Sequence, residues 1–225
     1  MDQKLYYRQM SYQDKDLMQG LCNECFPLEY PESWFDGLLR EDRYTYTLGA
    51  YEIETGTMVG MIVGQIQSIR QIENEYGFVL EEASPNDCVM YITIFGVSER
   101  YRCKGVGSYL MQSLINYSIT ETNCNLIYLH VEAVNSTAIT FYQRRGFTYH
   151  CTDVGYYMLP GDTTQSDGLV LIQFINNGRP YKKSFDNWCK RSISGNPIMQ
   201  CLGGVVKGPF SSIRHIWHRS MSSPS

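Results

Sequence analysis

A run of strand-forming residues, Cys88 to Val97, stops at a polar loop, Ser98 to Lys104, and gives way to a helical pattern from Gly105 to Thr120. Tyr91, Ile92, Ile94, Phe95 and Val97 suit a central strand. Val106, Leu110, Leu114 and Tyr117 then recur on one helix face. At the junction stands Arg102-Cys103-Lys104-Gly105-Val106-Gly107-Ser108. Its glycines let backbone amides close on a ligand, and the helix starting there aims unpaired N–H groups and its positive dipole end at the same point. Arg102 and Lys104 add charge. A nucleotide-type phosphate is the guest this junction predicts, since a bare glycine turn would not need flanking cations. Two rival motifs fail: GxGxxG would need glycine where Leu110 stands, and no GxxxxGK[ST] occurs.

The surrounding pattern predicts β-α-α-β-β-β-α-β-α-β-β, an α/β sheet of about seven strands in one domain. Leu5 to Met10 alternates as a first strand, and Leu17, Met18, Leu21, Cys22 and Cys25 mark a helix. A short helix is expected at 32–40, and two strands at 44–53 and 58–69. Residues 71–87 are acidic, carry Pro85, and read as an exposed excursion. Beyond the central helix come a strand at 126–132, a helix capped by Asn135 and stopped by Gly146, and strands at 147–158 and 168–175.

Composition removes whole classes. Hydrophobic residues make up 43% and charged residues 19% of the 225, which excludes a disordered chain or a coiled coil. No apolar run approaches bilayer length, and the polar N-terminus carries no signal-peptide core, so residence on the cytosolic side is expected. Residues 1–180 carry 12 Lys/Arg against 22 Asp/Glu, whereas 181–225 carry 7 against 1. An acidic body with a basic tail argues against a nucleic-acid partner. The scattered cysteines lack zinc-ligand spacing, and Cys22-x-x-Cys25 closes a helix instead of opening one, so core thiols are expected and no metal. Asn135 in a glycosylation sequon is better used as a helix cap.

Here the chain resembles a family. Arg102-Cys103-Lys104-Gly105-Val106-Gly107 fits the R/Q-x-x-G-x-G/A motif of the GNAT acetyltransferases, and Asn135-Ser136-Thr137-Ala138-Ile139-Thr140-Phe141-Tyr142-Gln143-Arg144-Arg145-Gly146-Phe147 is similar to their N-x-x-A-x-x-F-Y-x-x-x-G-F hallmark. The element order extends the resemblance over about residues 5–175. Phe26 to Pro31 and Ile127-Tyr128-Leu129-His130-Val131 look like the N-terminal acetyltransferases that act on retained initiator methionine. Glu29 to Trp34 with a long basic tail is similar to the members on Golgi membranes.

The resemblance implies a GNAT fold, with a mixed and mostly antiparallel sheet, over 1–180. It implies acetyl-CoA as donor, direct transfer without a metal, and protein N-termini as acceptors. Phe95, Gly96 and Val97 would pair with the pantetheine arm, and Cys103, Lys104, Gly105, Val106, Gly107 and Ser108 would cradle the pyrophosphate. Asn135 and Tyr142 would line the thioester side, with Gln143, Arg144 and Arg145 completing the donor site. Tyr91 and His130 fall at the family's catalytic pair, while Tyr30, Tyr91, Tyr156 and Tyr157 would hold the acceptor. Gly155 departs from the family pattern, standing where a third aromatic is expected, and its effect on the peptide lid stays open.

The acceptor chemistry agrees. An ammonium cannot attack a thioester, and an α-amine, with a pKa of about 7.7–8.0 against about 10.4 for Lys, is a few hundred-fold more deprotonated near neutrality. A modest base then suffices: His130 is expected to titrate in the useful range, and Tyr91 to act through a water or with a lowered pKa. The alternatives are a lysine acetyltransferase of the histone type and a catalytically silent CoA-binding module. Oligomeric state, a homodimer included, stays open.

The tail, 181–225, reads as a membrane-binding element. Ile213, Ile216, Trp217 and Met221 share one helical face, with Arg214, His215, His218 and Arg219 beside or opposite it. The expected location is peripheral, on the cytosolic face of the Golgi membrane.

Overall fold

The computed structural model describes residues 4–26, 30–40, 42–70, 87–158 and 165–178. Its strands are β1 (Leu5–Arg8), β2 (Thr45–Glu52), β3 (Met58–Ser68), β4 (Cys88–Val97), β5 (Cys124–Glu132), β6 (Thr148–Met158) and β7 (Gln165–Phe174). They pair as one seven-stranded sheet in the order β1-β2-β3-β4-β5-β7-β6. Only β4 and β5 run parallel; the other neighbours are antiparallel. The helices are α1 (Lys15–Cys25), α2 (Glu32–Leu38), α3 (Val106–Thr120) and α4 (Ser136–Gln143). Element order and sheet are those the pattern predicts. The excursion at 71–86, residues Pro27 to Glu29, and the whole tail from 179 onward lie outside the described residues.

The two faces of the sheet bury different helices. Val106, Leu110, Met111, Leu114 and Ile115 of α3 pack with Ile62, Met90, Ile127 and Leu129. Two glycines of β3 set how close α3 can come. A Cβ at Gly60 would lie 3.0 Å from Val106 Cγ1, and one at Gly64 would lie 2.7 Å from Leu114 Cδ1. The opposite face takes Met18, Leu21 and Cys22 of α1 with Phe35 and Leu38 of α2, over Tyr51, Met61, Val63 and Ile94. Leu17 shares the helical spacing but is exposed, so the buried stripe of α1 is narrower than the sequence suggests. Cys22 is a core thiol as expected, its pKa pushed up to about 12 by burial.

The start of α1 is pinned to β1 by charge. The Arg8 guanidinium donates to both oxygens of buried Asp14 at 2.7 Å, and the Ser11 amide donates to the same carboxylate at 2.8 Å. Burial alone would raise the Asp14 pKa, but these donors hold it below the usual carboxylate range.

Two bulges decide which side chains reach the site. Between β3 and β4, Ile94 faces Val63 and Ile92 faces Gly64, so Thr93 is an extra residue in β4. The bulge reverses the alternation. Met90 and Ile92 before it, and Phe95 and Val97 after it, all pack toward α3 and α4. Ile94 turns instead to the α1 face. Between β6 and β7, Asp153 pairs with Gly168 but Tyr157 pairs with Ser166, so β6 bulges through Val154, Gly155 and Tyr156.

Candidate active site

The parallel ladder of β4 and β5 begins at Cys88–Cys124 and ends at Tyr91–Tyr128. Beyond that rung each strand keeps its outer partner, β4 pairing with β3 as far as Val97 and β5 with β7 as far as Glu132. The two strands therefore part like a fork. An opened parallel pair exposes backbone groups of both strands, which an extended ligand can pair with in place of a strand.

On the donor side, Gly105 caps α3 with φ +86°, and Cys103 also has positive φ, at +59°. The first intrahelical bond in α3 is Tyr109 N–H to Gly105 C=O at 3.0 Å, so the amides of Val106, Gly107 and Ser108 face out of the helix end. Arg145 stacks on Phe141, its guanidinium 3.4 Å from the ring centroid, donates to the Phe141 carbonyl at 2.8 Å, and also donates to Ser108 Oγ. A guanidinium thus stands at the helix N-terminus beside outward amides. These groups fit a pyrophosphate.

The two cations expected on the loop are placed differently. Arg102 turns back, its Nε donating to the Val97 carbonyl at 3.1 Å, and Lys104 Nζ lies 5.3 Å from the Tyr101 ring centroid. Gln143 and Arg144 are exposed at the end of α4. Asn135 caps α4, its Oδ1 accepting from the Ala138 amide at 3.0 Å, and Gly146 takes φ +88° at the far end. Tyr142 is buried against Phe95, Phe141 and Phe147. Gly107 serves packing as well: a Cβ there would lie 3.1 Å from Phe95 Cζ, toward β4 and away from solvent. The loop conformation itself depends on Gly105.

On the other face of the sheet the expected acceptor residues come together. Tyr91 is buried, its ring 4.7 Å from Tyr128 and 5.8 Å from His130. The Tyr91 and Tyr156 hydroxyls are 3.3 Å apart, and the Tyr156 ring lies flat on His130 at 4.1 Å. Tyr157 meets Tyr156 edge-on at 4.9 Å. Its hydroxyl is driven well above the ordinary tyrosine pKa, first by burial and then by Tyr91, Tyr142, Tyr30 and Glu132 around it. Tyr30 stacks on Trp34 at 4.3 Å, and burial raises its pKa too. One aromatic cluster thus links the Tyr30–Trp34 pair, through Tyr157, to Tyr91 and Tyr156 beside the fork.

One expectation changes here. His130 is half-buried, and burial pushes its pKa down, to about 3, below the range expected for it, because an imidazolium packed among Tyr91, Tyr128 and Tyr156 loses part of its hydration. Gly155 shapes the β6 bulge. It takes φ +66° in the bulge, and its amide donates to Asp167 Oδ1 at 2.9 Å. A Cβ there would meet Gln165 Oε1, and one at Gly168 would lie 2.9 Å from Tyr156 Cβ. Gly168 makes room for Tyr156, and Gly155 for Gln165.

Sequence reasoning missed three contributors. Tyr128 backs Tyr91 and donates to Gln67 Oε1 at 2.6 Å; its period-two spacing from His130 on β5 was the available signal. Trp34 had no signal beyond a helical position next to Tyr30. Thr93, donating to Gln65 Oε1 at 3.1 Å, marks a bulge that alternation cannot announce.

The profile of the acetyltransferase (GNAT) family matches residues 12–147. N-alpha-acetyltransferase 60 of Danio rerio is 35% identical over 186 residues, spanning 81% of this chain and 75% of that protein. N-alpha-acetyltransferase 60 of Xenopus tropicalis is 33% identical over 176 residues, 77% and 71% of the two chains. In fold, the crystal structure of Arabidopsis thaliana NAA60 in complex with acetyl-CoA superposes with a TM-score of 0.69 at 22% identity, covering 77% of this chain and 100% of that one. With the glycine loop, the fork and the sheet order agreeing with that match, the chain belongs to the GNAT acetyltransferase family.

Proposed function

We propose that this chain transfers acetyl from acetyl-CoA to the N-terminal α-amine of proteins that keep their initiator methionine. Its substrates include membrane-associated proteins with cytosolic N-termini, reached from the Golgi membrane that the basic tail holds. The carrying observation is the fork below Tyr91–Tyr128, which has an anion-binding helix end on one side and an aromatic cluster on the other. Relatives named N-alpha-acetyltransferase 60 support the choice of amine.

In this reading the α3 amides and Arg145 hold the pyrophosphate, and the open edge of β4 at Phe95 aligns the pantetheine arm. The apolar slot of Tyr30, Trp34 and Tyr157 takes a methionine side chain, whose flexible thioether suits aromatic walls. Acetyl-CoA supplies an activated acyl group. The residues supply position and a route for one proton. With its imidazolium disfavoured by burial, His130 is a weak base toward an ammonium whose pKa is about 7.7–8.0, so in this reading the amine enters already deprotonated. As the new C–N bond forms, the thioester C–S bond breaks and CoA departs as a thiolate that is protonated from solvent; the nitrogen turns cationic, one of its two protons becomes strongly acidic, and a weak acceptor then suffices. Tyr91 takes that role and passes the proton to the Tyr156 hydroxyl 3.3 Å away, at the half-buried edge of the site. His130 holds Tyr156 in place by stacking and stays uncharged.

The test is an acetyl-transfer assay on paired peptides, one with a free N-terminal Met and one with a blocked N-terminus and an internal Lys. Turnover confined to the first supports the assignment. Preferred turnover of the second replaces it with a lysine acetyltransferase.

A further inference from the structure

We propose that Cys88 and Cys124 form an oxidisable dithiol site whose reaction partner is a low-molecular-weight disulfide of the glutathione class. The two residues make the first rung of the parallel β4–β5 ladder, at the end opposite the fork. Their sulfurs are 3.2 Å apart in a thiol–thiol hydrogen bond. Directly paired residues on neighbouring strands sit about 4.7–4.9 Å apart, inside the Cα range of about 4.4–6.8 Å that disulfides occupy. Closing the sulfurs to about 2.05 Å asks for a shift of about 1.2 Å. Register, which only folding supplies, brings together two cysteines that the sequence separates by 36 positions.

The environment assigns the roles. Cys88 is half-buried, whereas Cys124 is fully buried and receives no reagent directly. The Cys124 thiol and the Asn123 backbone donate toward the Cys88 sulfur, which favours its thiolate; the Cys124 thiol is held protonated. Cys88 is therefore the attacking sulfur. Its thiolate displaces one glutathione thiolate from oxidised glutathione, forming a mixed disulfide. Cys124 then loses its proton, attacks the Cys88 sulfur and expels the second glutathione. Two protein thiols give up two electrons and two protons, and one oxidised glutathione becomes two reduced ones. The product ties β4 to β5 three residues before Tyr91, at the end of the ladder away from the fork.

The experiment uses the full chain, folded in native buffer, exposed to oxidised glutathione. Remaining thiols are then alkylated, and the chain is digested and analysed by mass spectrometry without reduction. The expected product is a linked peptide pair joining Cys88 to Cys124, two hydrogens lighter than the free peptides and released by dithiothreitol. Cys124→Ser should stop the reaction at one glutathione adduct on Cys88. The exposed Cys103 reports that oxidant reached the protein. If Cys103 is modified while Cys88 and Cys124 both remain alkylatable, or if either one links elsewhere, the proposal is overturned. Wild-type Cys88 ending as a stable glutathione adduct overturns it as well.

Discussion

The imidazole of His130 lies flat on the ring of Tyr156, centroids 4.1 Å apart and planes within 2°. Tyr91 and Tyr128 close the sides edge-on. Such an enclosure disfavours a charged ring, and the His130 pKa falls to about 3. The rate profile should show this. We expect kcat/KM on a Met-peptide to rise with deprotonation of the substrate amine, around 7.7–8.0, with no limb near 6.5. His130→Gln should lower the rate and leave the shape unchanged. A limb near 6.5 that vanishes in the variant would make His130 the base after all.

The same ring leaves a mark on stability. An unfolded chain binds a proton on this imidazole below about pH 6.5, whereas the folded chain excludes it until about pH 3. The folded state is therefore favoured in full above about 6.5 and loses up to about 1.4 kcal/mol per pH unit as acid is added. Urea midpoints at pH 7 and pH 5 should diverge less in His130→Leu than in the wild type. Equal divergence would show that the ring is solvated.

Proton handling is expected to run through hydroxyls. Tyr91→Phe removes the group that faces the Tyr156 hydroxyl at 3.3 Å while keeping the ring that packs on Tyr128. A kcat loss of about 10²-fold, with CoA affinity by calorimetry unchanged, is the outcome expected for lost acid–base help. A kcat within about two-fold of wild type would leave Tyr91 a packing residue.

The elements of this fold were legible because burial imposes period. Met90, Leu110, Leu114, Ile127 and Leu129 repeat at the spacing of a strand or a helix packed on one core. What escaped was set by breaks in that period. Thr93 is one extra residue, yet it turns Phe95 and Val97 to the face that Met90 and Ile92 occupy. Gly155 looks in the sequence like a missing aromatic, but its φ of +66° is what carries β6 around Tyr156. The glycine loop was legible as a candidate anion site, and the resemblance placed Arg145 in the donor site; that Arg145, just past the end of α4, reaches Ser108 at the start of α3 is what only the fold shows.

The two loop glycines should separate in a binding experiment. Gly105 has open space where a Cβ would go but φ of +86°, so Gly105→Val strains the loop by about 1–2 kcal/mol and misdirects its amides. CoA affinity should fall about tenfold or more. Gly107→Ala puts a methyl 3.1 Å from Phe95 and should mainly lower Tm. Calorimetry beside thermal melts distinguishes them, and unchanged CoA affinity in a folded Gly105→Val chain would remove the loop from the donor site.

The tail carries the membrane part of the proposal. Seven basic residues against one acidic in 181–225 should draw it to an anionic leaflet, at about 1 kcal/mol per basic residue near the surface. Charge alone would release as salt rises. Ile213, Ile216, Trp217 and Met221 would turn attraction into insertion, each buried CH₂ adding about 0.8 kcal/mol. The full chain should therefore float with anionic liposomes and stay bound in high salt. The double change Ile216→Asp, Trp217→Asp should leave binding that salt abolishes, with peptide turnover kept. The last strand of the sheet, β7, ends at Phe174, so a 1–180 chain should retain activity and remain in the aqueous fraction. Flotation of 1–180 equal to that of the full chain would place the membrane contact on the folded domain and remove the physical basis for a tail-held enzyme.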